Sequence, residues 1–181
     1  MAERIYTSHD APVTPPTWEL YHAPGSVAFT ATISASIPNA TGLNAFPIPF
    51  DTLVWDVNSG FDTTTGLFTA PHEGLYAFQA TIAVISLTLG EQAILCSFPV
   101  TGTGPSVGAP GAFIRAAPYT CADQVSGVFR INGSATLYLN AGDQVRATVH
   151  VFGTAVGDTV TVYRGGGAPY NGTWFTGYNI N

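Results

Sequence analysis

The stretch FDTLVWDVNSGFDTTTGLFTAPHEGLYAF, residues 50–78, is dense in aromatic side chains that are not spaced as they would be on a helix. Small polar residues, glycines and a proline separate the five that stand out: Phe50, Phe61, Phe68, Tyr76 and Phe78. An amphipathic helix would place such residues three or four positions apart. Tyr76 and Phe78 are instead two positions apart, which puts both side chains on one face of a β-strand. The stretch therefore predicts strands joined by turns.

The composition of the whole chain agrees with this prediction. The chain has 181 residues, a length that suits one domain with a full hydrophobic core. Apolar residues make up 46% of it, so it is not of the disordered type. It contains 20 glycines and 13 prolines, more than a helical protein tolerates. Threonine, valine, tyrosine and phenylalanine are plentiful, which favours an all-β protein.

Outward from the quoted stretch, apolar residues alternate with a period of two. One face of VAFTATIS, residues 27–34, carries Val27, Phe29, Ala31 and Ile33. One face of GLYAFQATIAVI, residues 74–85, carries Tyr76, Phe78, Ala80, Ile82 and Val84. The opposite face of this second segment is also largely apolar. That pattern predicts a central strand, or a strand that another subunit covers.

Further strands follow towards the C-terminus. ATLYL (135–139) and QVRATVHVF (144–152) alternate and are joined by NAGD, a tight-turn sequence. TVTVYR (159–164) and TWFTGYNI (173–180) come next, separated by a glycine-rich loop. Many short strands with regular turns predict a β-sandwich or a jelly roll. No segment has the pattern of a helix.

Charged residues are scarce. They form 9% of the chain, against about 25% in a typical soluble domain. All five basic residues are arginines, and the net charge is −6. This balance argues against a phosphate-binding surface, so we expect no nucleic-acid partner. A surface partly covered by neighbours in an assembly would explain the low charge, and an unusual surface preference of the source would explain it equally.

The first 25 residues differ from the remainder. Pro12, Pro15 and Pro16 stiffen this stretch into extended structure. Trp18 and Tyr21 are suited to anchor it. We expect residues 1–25 to be an arm that docks on a partner, with docking on its own domain as the alternative. Residues 26–181 would form the single domain.

Neither a signal peptide nor a membrane span is expected. The start, MAERIYTSHDAPVTPP, has no apolar core of the kind that signal peptides have. No apolar run approaches the roughly 18–20 residues that a membrane-spanning helix needs. We therefore expect no export by the usual route and no membrane partner.

The spacing within the opening stretch resembles the signature of the complement C1q and tumour necrosis factor family, in its C1q branch. Five residues separate Phe50 from Asp56, four lie between Asp56 and Phe61, six precede Phe68 and five precede Gly74. Tyr76 and Phe78 complete the Gly-x-Tyr-x-Phe segment. The chain departs from the signature at its last position, where Ala80 replaces an aromatic residue.

Later landmarks of the same family occur in the family order. LNAGDQVRATV, with Gly142 and Asp143, resembles its Leu-x-x-Gly-Asp-x-Val strand pair. WFTGYNI, with Phe175, Gly177 and Tyr178, resembles its closing strand. The resemblance covers about residues 27–180. It implies a ten-strand jelly roll that forms a homotrimer about an aromatic, apolar axis. No collagen-like repeat is present, and the proline-rich arm stands in its place.

Candidate chemical sites are few. Ser106 lies in GPSVG, which matches the pattern around a nucleophilic serine, but no helix is expected to follow it. Cys96 and Cys121 are read as buried free thiols, with a disulfide as the alternative. The resemblance allows a calcium site near the trimer axis, although no spacing specifies one. We expect no catalytic residue, no metal ligand and no cofactor.

Two functions follow as hypotheses. The first is a non-enzymatic structural virion protein of phage type. It would be a trimeric capsid decoration, cement or head-fibre module at the virion surface. Its arm would bind capsid or other virion proteins. The second is a receptor- or glycan-binding fibre tip or adhesin that contacts host surface glycans through exposed aromatic side chains. Its candidate ligand-facing residues are Tyr119, Tyr170 and Trp174. A secreted, extracellular C1q-like protein is a third alternative.

Overall fold

The computed structural model describes residues 26–41, 46–58, 60–85, 90–91, 93–107, 113–114, 120–121, 128–152, 159–165 and 172–180. The proline-rich arm, including Pro12, Pro15, Pro16, Trp18 and Tyr21, lies outside these residues, as do Tyr119 and Tyr170. The predictions made for these residues therefore stay predictions.

Every regular element of the described residues is a β-strand, as alternating sequence patterns and frequent turn residues predict. The strands are β1 (Ala28–Thr32), β2 (Ile37–Thr41), β3 (Phe46–Pro47), β4 (Thr52–Val57), β5 (Gly60–Asp62), β6 (Leu67–Thr69), β7 (Gly74–Ile85), β8 (Gly90–Glu91), β9 (Ala93–Ser97), β10 (Val100–Thr101), β11 (Phe113–Ile114), β12 (Thr120–Cys121), β13 (Phe129–Leu139), β14 (Gln144–Val145), β15 (Thr148–Phe152), β16 (Thr159–Val162) and β17 (Trp174–Asn179). None of the described residues forms a helix that is long and apolar enough to cross a membrane.

The largest sheet has seven strands. Six of them follow the pairing order β2, β16, β7, β17, β1, β4, and the seventh, β13, pairs with the edge of β7 that β16 and β17 leave open. All of its pairs are antiparallel. The strand β7 is central because β17 and β16 pair with successive parts of one edge, while β13 pairs with the other edge from Gly74 to Val84. Its bounds are those of the predicted segment 74–85, and its two apolar faces agree with a central place in the sheet.

Smaller sheets form the opposite layer. One has the order β10, β14, β6, β5 and another the order β11, β9, β15, β3, while β8 and β12 pair with each other. Phe68 of β6 contacts Phe29 of the large sheet, with 5.3 Å between ring centroids. It also contacts Phe78 at 5.4 Å. Two layers joined by interdigitating side chains form an antiparallel β-sandwich of the jelly-roll type.

Aromatic side chains fill the space between the layers. Phe50, Phe68, Tyr76, Phe78 and Phe175 are each at most 1% exposed, and Phe61 is 7% exposed. Burial of this many rings supplies the main driving force for folding, because aromatic side chains remove large apolar areas from water. The alternating positions predicted to face inward in 27–34 and 74–85 all lie in this core.

Gly177 lets two aromatic rings of the core approach the backbone of β17 closely. A Cβ atom at this position would lie 2.6 Å from Cε1 of Phe29 and 2.7 Å from Cδ1 of Phe78. Both rings therefore pack directly on the backbone of β17, between β1 and β7. The closing strand requires glycine here because no side chain fits.

Two strand predictions need correction. Residues 144–152 form two strands, β14 and β15, separated at Arg146 and Ala147. The strand predicted over 135–139 begins six residues earlier, at Phe129. Both differences arise where hydrogen-bond partners, and not the alternation of side chains, decide where a strand begins and ends.

Candidate functional site

The outer surface of the large sheet carries no charge over its central part. Here the outward face denotes the alternate positions of four neighbouring strands: Ala28, Thr30, Thr32, Leu75, Ala77, Gln79, Thr81, Asn132, Ser134, Thr136, Tyr138, Trp174, Thr176 and Tyr178. Threonines, amides and aromatic rings dominate it. Charged groups flank it, with Glu73 beyond one end and Arg130 beyond the other. A sheet face without charge is suited to contact with another surface.

An aromatic patch lies at the end of the outward face nearest Glu73. The patch consists of Leu75, Tyr138, Tyr178 and Ile180, and the last three are 41%, 46% and 45% exposed. Leu75 lies opposite Tyr138 in the register of β7 and β13. The hydroxyl group of Tyr138 donates a hydrogen bond to the Glu73 carboxylate. That contact raises the pKa of Tyr138. Large apolar groups that stay exposed together mark a surface for association.

A depression lies at the other end of the outward face. Its volume is about 330 Å³, and it is lined by Gln79, Ala80, Thr81, Asn132, Gly133, Ser134 and Trp174. Thr81 Oγ1 donates a hydrogen bond of 2.7 Å to Asn132 Oδ1, which fixes the orientation of the amide. Trp174 is half-buried beside it. Sequence reasoning singled out Trp174 as ligand-facing. It missed the four polar partners, which come from two other strands.

The edge strand β4 is exposed on both faces. Leu53, Val54 and Trp55 are 36%, 38% and 40% exposed. Within the described residues β4 pairs only with β1. An apolar edge strand of this kind normally needs a cover or a partner. The signature residue Asp56 is also exposed on this strand, outside the core.

Asp143 forms the centre of a buried turn. Its side chain is 1% exposed and accepts hydrogen bonds from the backbone N–H groups of Thr103, Gly104 and Asn140 at 2.8 to 3.3 Å. Burial alone would raise the pKa of this carboxyl group, but the three backbone donors outweigh burial and hold the pKa below its usual value. Gly142 precedes it with a φ of 88°, a conformation that favours glycine. The Gly-Asp landmark is therefore a structural anchor between two loops.

A buried polar cluster joins β9 and β15. The hydroxyl oxygen of Ser97 lies 2.6 Å from Thr148 Oγ1 and 2.9 Å from His150 Nε2. Ser97 is 1% exposed, so its hydroxyl group is closed to a substrate. Burial lowers the pKa of His150. The cluster holds two strands together through side-chain hydrogen bonds.

Acidification is expected to lower stability in two steps. The pKa of His150 is lowered in the folded chain. On acidification the unfolded chain therefore takes up a proton at His150 at a higher pH than the folded chain does, and stability falls as the pH drops below about 6.5. Because the pKa of Asp143 is also lowered, a second loss follows below about 4. Urea unfolding midpoints measured across this pH range would show both steps.

The His150→Gln variant separates the two steps, because glutamine does not titrate. The first step is expected to shrink in this variant while the second remains. A first step of unchanged size in His150→Gln would contradict the role of this histidine.

The structure also locates other residues that the sequence singled out. Cys96 is a free, buried thiol, and burial raises its pKa to about 12. Ser106 Oγ accepts a hydrogen bond of 3.0 Å from the backbone N–H of Tyr138. The signature residue Tyr178 lies in the aromatic patch and not in the core. Among the described residues, no group of three or more histidine, cysteine, aspartate or glutamate side chains is placed to hold a metal ion.

Comparisons with known proteins agree on the fold. Residues 28–96 match the family model of the C1q domain. The globular domain of the zebrafish complement 1qA protein superposes with a TM-score of 0.52 at 18% identity, over 87% of this chain and 98% of that one. The Eiger tumour necrosis factor of S. frugiperda gives 0.51 at 14% identity, over 86% and 92%. Murine APRIL gives 0.54 at 9% identity, over 86% and 99%. No curated protein sequence matches the chain.

Proposed function

We propose that this chain, which carries a jelly-roll domain of the complement C1q and tumour necrosis factor type, is a structural protein of a virion. The proposed role is non-enzymatic. It acts as a homotrimer that decorates or cements a capsid, or forms a head fibre. Its N-terminal arm binds capsid or other virion proteins, and the jelly roll projects outward. The observation that supports the trimer is the uncharged outward face with its aromatic patch.

The trimer is proposed to form through the aromatic patch. Tyr138, Tyr178 and Ile180 each keep more than 40% of their surface exposed in the single chain. Contact with neighbouring copies would remove these groups from water, which is the main favourable term in stable association. Closed cyclic symmetry lets every copy use the same surfaces, so association stops at a defined number of chains. Three is the number that the resemblance to C1q domains implies.

The virion role rests on composition. Only 9% of the residues are charged, and lysine is absent. Charged residues are depleted in the centres of protein interfaces, so a chain with many covered surfaces can dispense with them. The arm adds Trp18 and Tyr21 within a proline-rich stretch, a composition suited to an extended segment lying along another protein.

Native mass spectrometry of the full chain, of residues 26–181 and of Tyr178→Asp tests self-association. We expect a trimer for the first two and monomer for Tyr178→Asp, because a carboxylate in the patch would have to be buried unpaired. Thr136→Asp is the matched control, since Thr136 lies on the same outward face but outside the patch. A monomeric full chain would overturn the trimer.

Virion anchoring has a separate test. Virus particles from cultures of the source organism are stripped of this protein and mixed with each trimer. The full chain is expected to sediment with the particles, and residues 26–181 are expected to stay in the supernatant. Equal binding of both forms would assign attachment to the jelly roll, and absence of binding by either would overturn the virion role.

Attachment to host surface glycans is the second candidate function. The observation that favours it is the position of Trp174, which borders a depression lined by neutral hydrogen-bonding side chains. The two roles are compatible, because a module that projects from a particle also meets the surfaces that the particle approaches.

A further inference from the structure

We propose that residues 17–22 of the N-terminal arm add a strand to the free edge of β4 in their own chain. The sequence of this segment is TWELYH. The inference goes beyond the proposed function and does not depend on it, because the segment would cover its own domain whether or not the chain belongs to a virion. Residues 1–16 stay available for a virion partner, so the two roles of the arm are compatible.

The edge strand β4 is open along its free edge and on both faces. Within the part of the chain that the structure describes, its pairing is with β1 alone. Leu53 lies opposite the buried Ala31, on the inner side of the sheet, yet it is 36% exposed. Trp55 lies opposite Thr30, on the outer side, and is 40% exposed. A strand with unpaired edge groups and apolar side chains on both faces is a template for a further strand.

Association through the aromatic patch leaves this edge open. The strand β1 separates β17, which carries Tyr178 of the patch, from β4. A strand added to β4 would therefore lie three strand spacings, about 14 Å, from β17. The hydrogen-bonding groups of the free edge also lie in the plane of the sheet and point away from β1. A copy that packs on the outward face does not supply partners for them.

The arm leaves the domain beside the end of β4. The described chain begins at Ser26, two residues before β1. Ala28 lies opposite Val57, the last residue of β4. The side chain of Asn58, the next residue, donates a hydrogen bond of 3.4 Å from Nδ2 to the carbonyl oxygen of Ser26. This contact holds the start of the described chain at the end of β4.

The linker between the segment and the domain is long enough for this docking. Ala23, Pro24 and Gly25 separate the segment from Ser26. The four steps from residue 22 to residue 26 reach up to about 14 Å, while two strand spacings, from β1 to the added strand, are about 10 Å. Pro-Gly is a turn-forming pair. A reversal there makes the segment antiparallel to β1 and parallel to β4, because β1 and β4 are antiparallel.

The composition of the segment fits an edge strand that packs on both faces. It has six residues, as β4 has. Alternation places Trp18 and Leu20 on one face and Tyr21 on the other. Each face therefore brings a large side chain towards those that β4 exposes. Pro16 and Pro24 border the segment and none lies within it. Prolines at its borders would keep further strands from joining the new edge.

Hydrogen exchange of the full chain, followed by mass spectrometry on residues 52–57, tests the pairing. Paired N–H groups exchange slowly and open edge groups exchange fast. The double variant Trp18→Ser with Leu20→Ser is expected to speed exchange of the N–H groups on the free edge at least tenfold. The matched control is Ile5→Ser with Val13→Ser, which removes two apolar side chains from residues 1–16 and is expected to change nothing. Exchange of the central strand, residues 74–85, verifies that each variant is folded.

The Tyr178→Asp variant, which is expected to be monomeric, separates docking within one chain from exchange of arms between copies. Slow exchange of residues 52–57 is expected to persist in it. Fast exchange in Tyr178→Asp would assign the cover of β4 to a neighbouring copy and overturn docking within the chain. If native mass spectrometry shows a monomer for the unmodified chain, the trimer fails while the exchange comparison stands, so the two failures are distinguishable.

Two further results would overturn the proposal. The first is equal exchange of residues 52–57 in the unmodified chain and in Trp18→Ser with Leu20→Ser, because the segment would then leave β4 uncovered. The second is equal acceleration by both double variants, because the contact would then not be specific to residues 17–22. Particle binding is measured separately, so neither result bears on the virion role.

Discussion

Replacing Phe175 by alanine is expected to lower the free energy of unfolding by about 3–5 kcal/mol, the range for removing a buried phenylalanine side chain. Phe175 is fully buried, and its ring lies 5.0 to 6.0 Å, centroid to centroid, from five other rings. These are the rings of Phe29, Phe50, Phe61, Phe78 and Phe98. The substitution leaves a cavity where both layers of the sandwich meet, and the rigid sheets prevent its collapse. Urea unfolding at neutral pH measures the loss.

Phe175→Leu is the matched control for this cavity. Leucine retains most of the apolar volume, so a loss below about 1.5 kcal/mol is expected. Equal losses for alanine and leucine would show that ring geometry, and not buried volume, decides stability here. A loss below about 1 kcal/mol for Phe175→Ala would contradict the central place of Phe175 in the core.

Replacing Asp143 by alanine is expected to cost about 3–5 kcal/mol, because hydrogen bonds to a charged acceptor contribute about 1.5–3 kcal/mol each and buried donors left without a partner add to the loss. The carboxylate accepts from three backbone N–H groups of two loops. Gly102 and Gly104 have no side chain because the carboxylate occupies that space, 2.0 and 2.2 Å from where their Cβ atoms would lie. Thermal unfolding and hydrogen exchange of residues 101–107 measure the effect.

Asp143→Asn separates charge from shape. The carbonyl oxygen of asparagine still accepts a hydrogen bond from one loop, while its NH₂ group faces donors. The free energy of unfolding is therefore expected to lie between those of the native chain and of Asp143→Ala. Asp62→Asn is the control, since the Asp62 carboxylate caps an exposed turn by accepting from the backbone N–H of Thr64 at 2.8 Å. A larger loss at Asp62 than at Asp143 would contradict the anchoring role of Asp143.

Much of the fold could be predicted from local sequence. The strand β7 begins and ends where the alternation of GLYAFQATIAVI begins and ends. Its inward positions, from Tyr76 to Val84, are all buried. Alternation identifies buried positions reliably when one face of a strand meets a large core. The landmarks that resemble C1q domains added the jelly-roll fold, and the similarity to known structures confirmed it.

Local sequence failed where partners lie far along the chain. The strand predicted over 135–139 begins at Phe129, so the Asn-Gly pair at 132–133, a pair that is common in turns, lies within β13. Gly133 is required there for packing, since a Cβ atom would lie 2.9 Å from Sγ of Cys96. Only the opposite layer of the sandwich, where β9 carries Cys96, reveals that this glycine makes room for a thiol.

The break between β14 and β15 was hidden for a different reason. Val145, Ala147 and Val149 are all buried, so the alternation of side chains continues across the break. The hydrogen-bond partners change, from β6 and β10 to β3 and β9. The chain passes from one small sheet to another while keeping the same face inward, and a pattern of side chains does not record that change.

The candidate site could be predicted only in part. Trp174 was singled out as an exposed aromatic residue that could contact a glycan. Its partners Thr81 and Asn132 lie about 93 and 42 positions away in the sequence, and register alone brings them together. The aromatic patch combines Leu75, Tyr138 and Tyr178 in the same way. Sites assembled across a sheet have no spacing that a single sequence reveals.

The position of β17 between β1 and β7 has a consequence for synthesis on the ribosome. The last strand of the described chain inserts between the first strand and the central one, with Gly177 opposite both Phe29 and Phe78. The large sheet therefore stays open until residues 174–179 have left the exit tunnel, and until then β1 and β7 expose edges that other nascent chains can join. Closure of the large sheet must wait for β17, so a chain truncated before residue 174 loses the link between β1 and β7 as well as the strand itself.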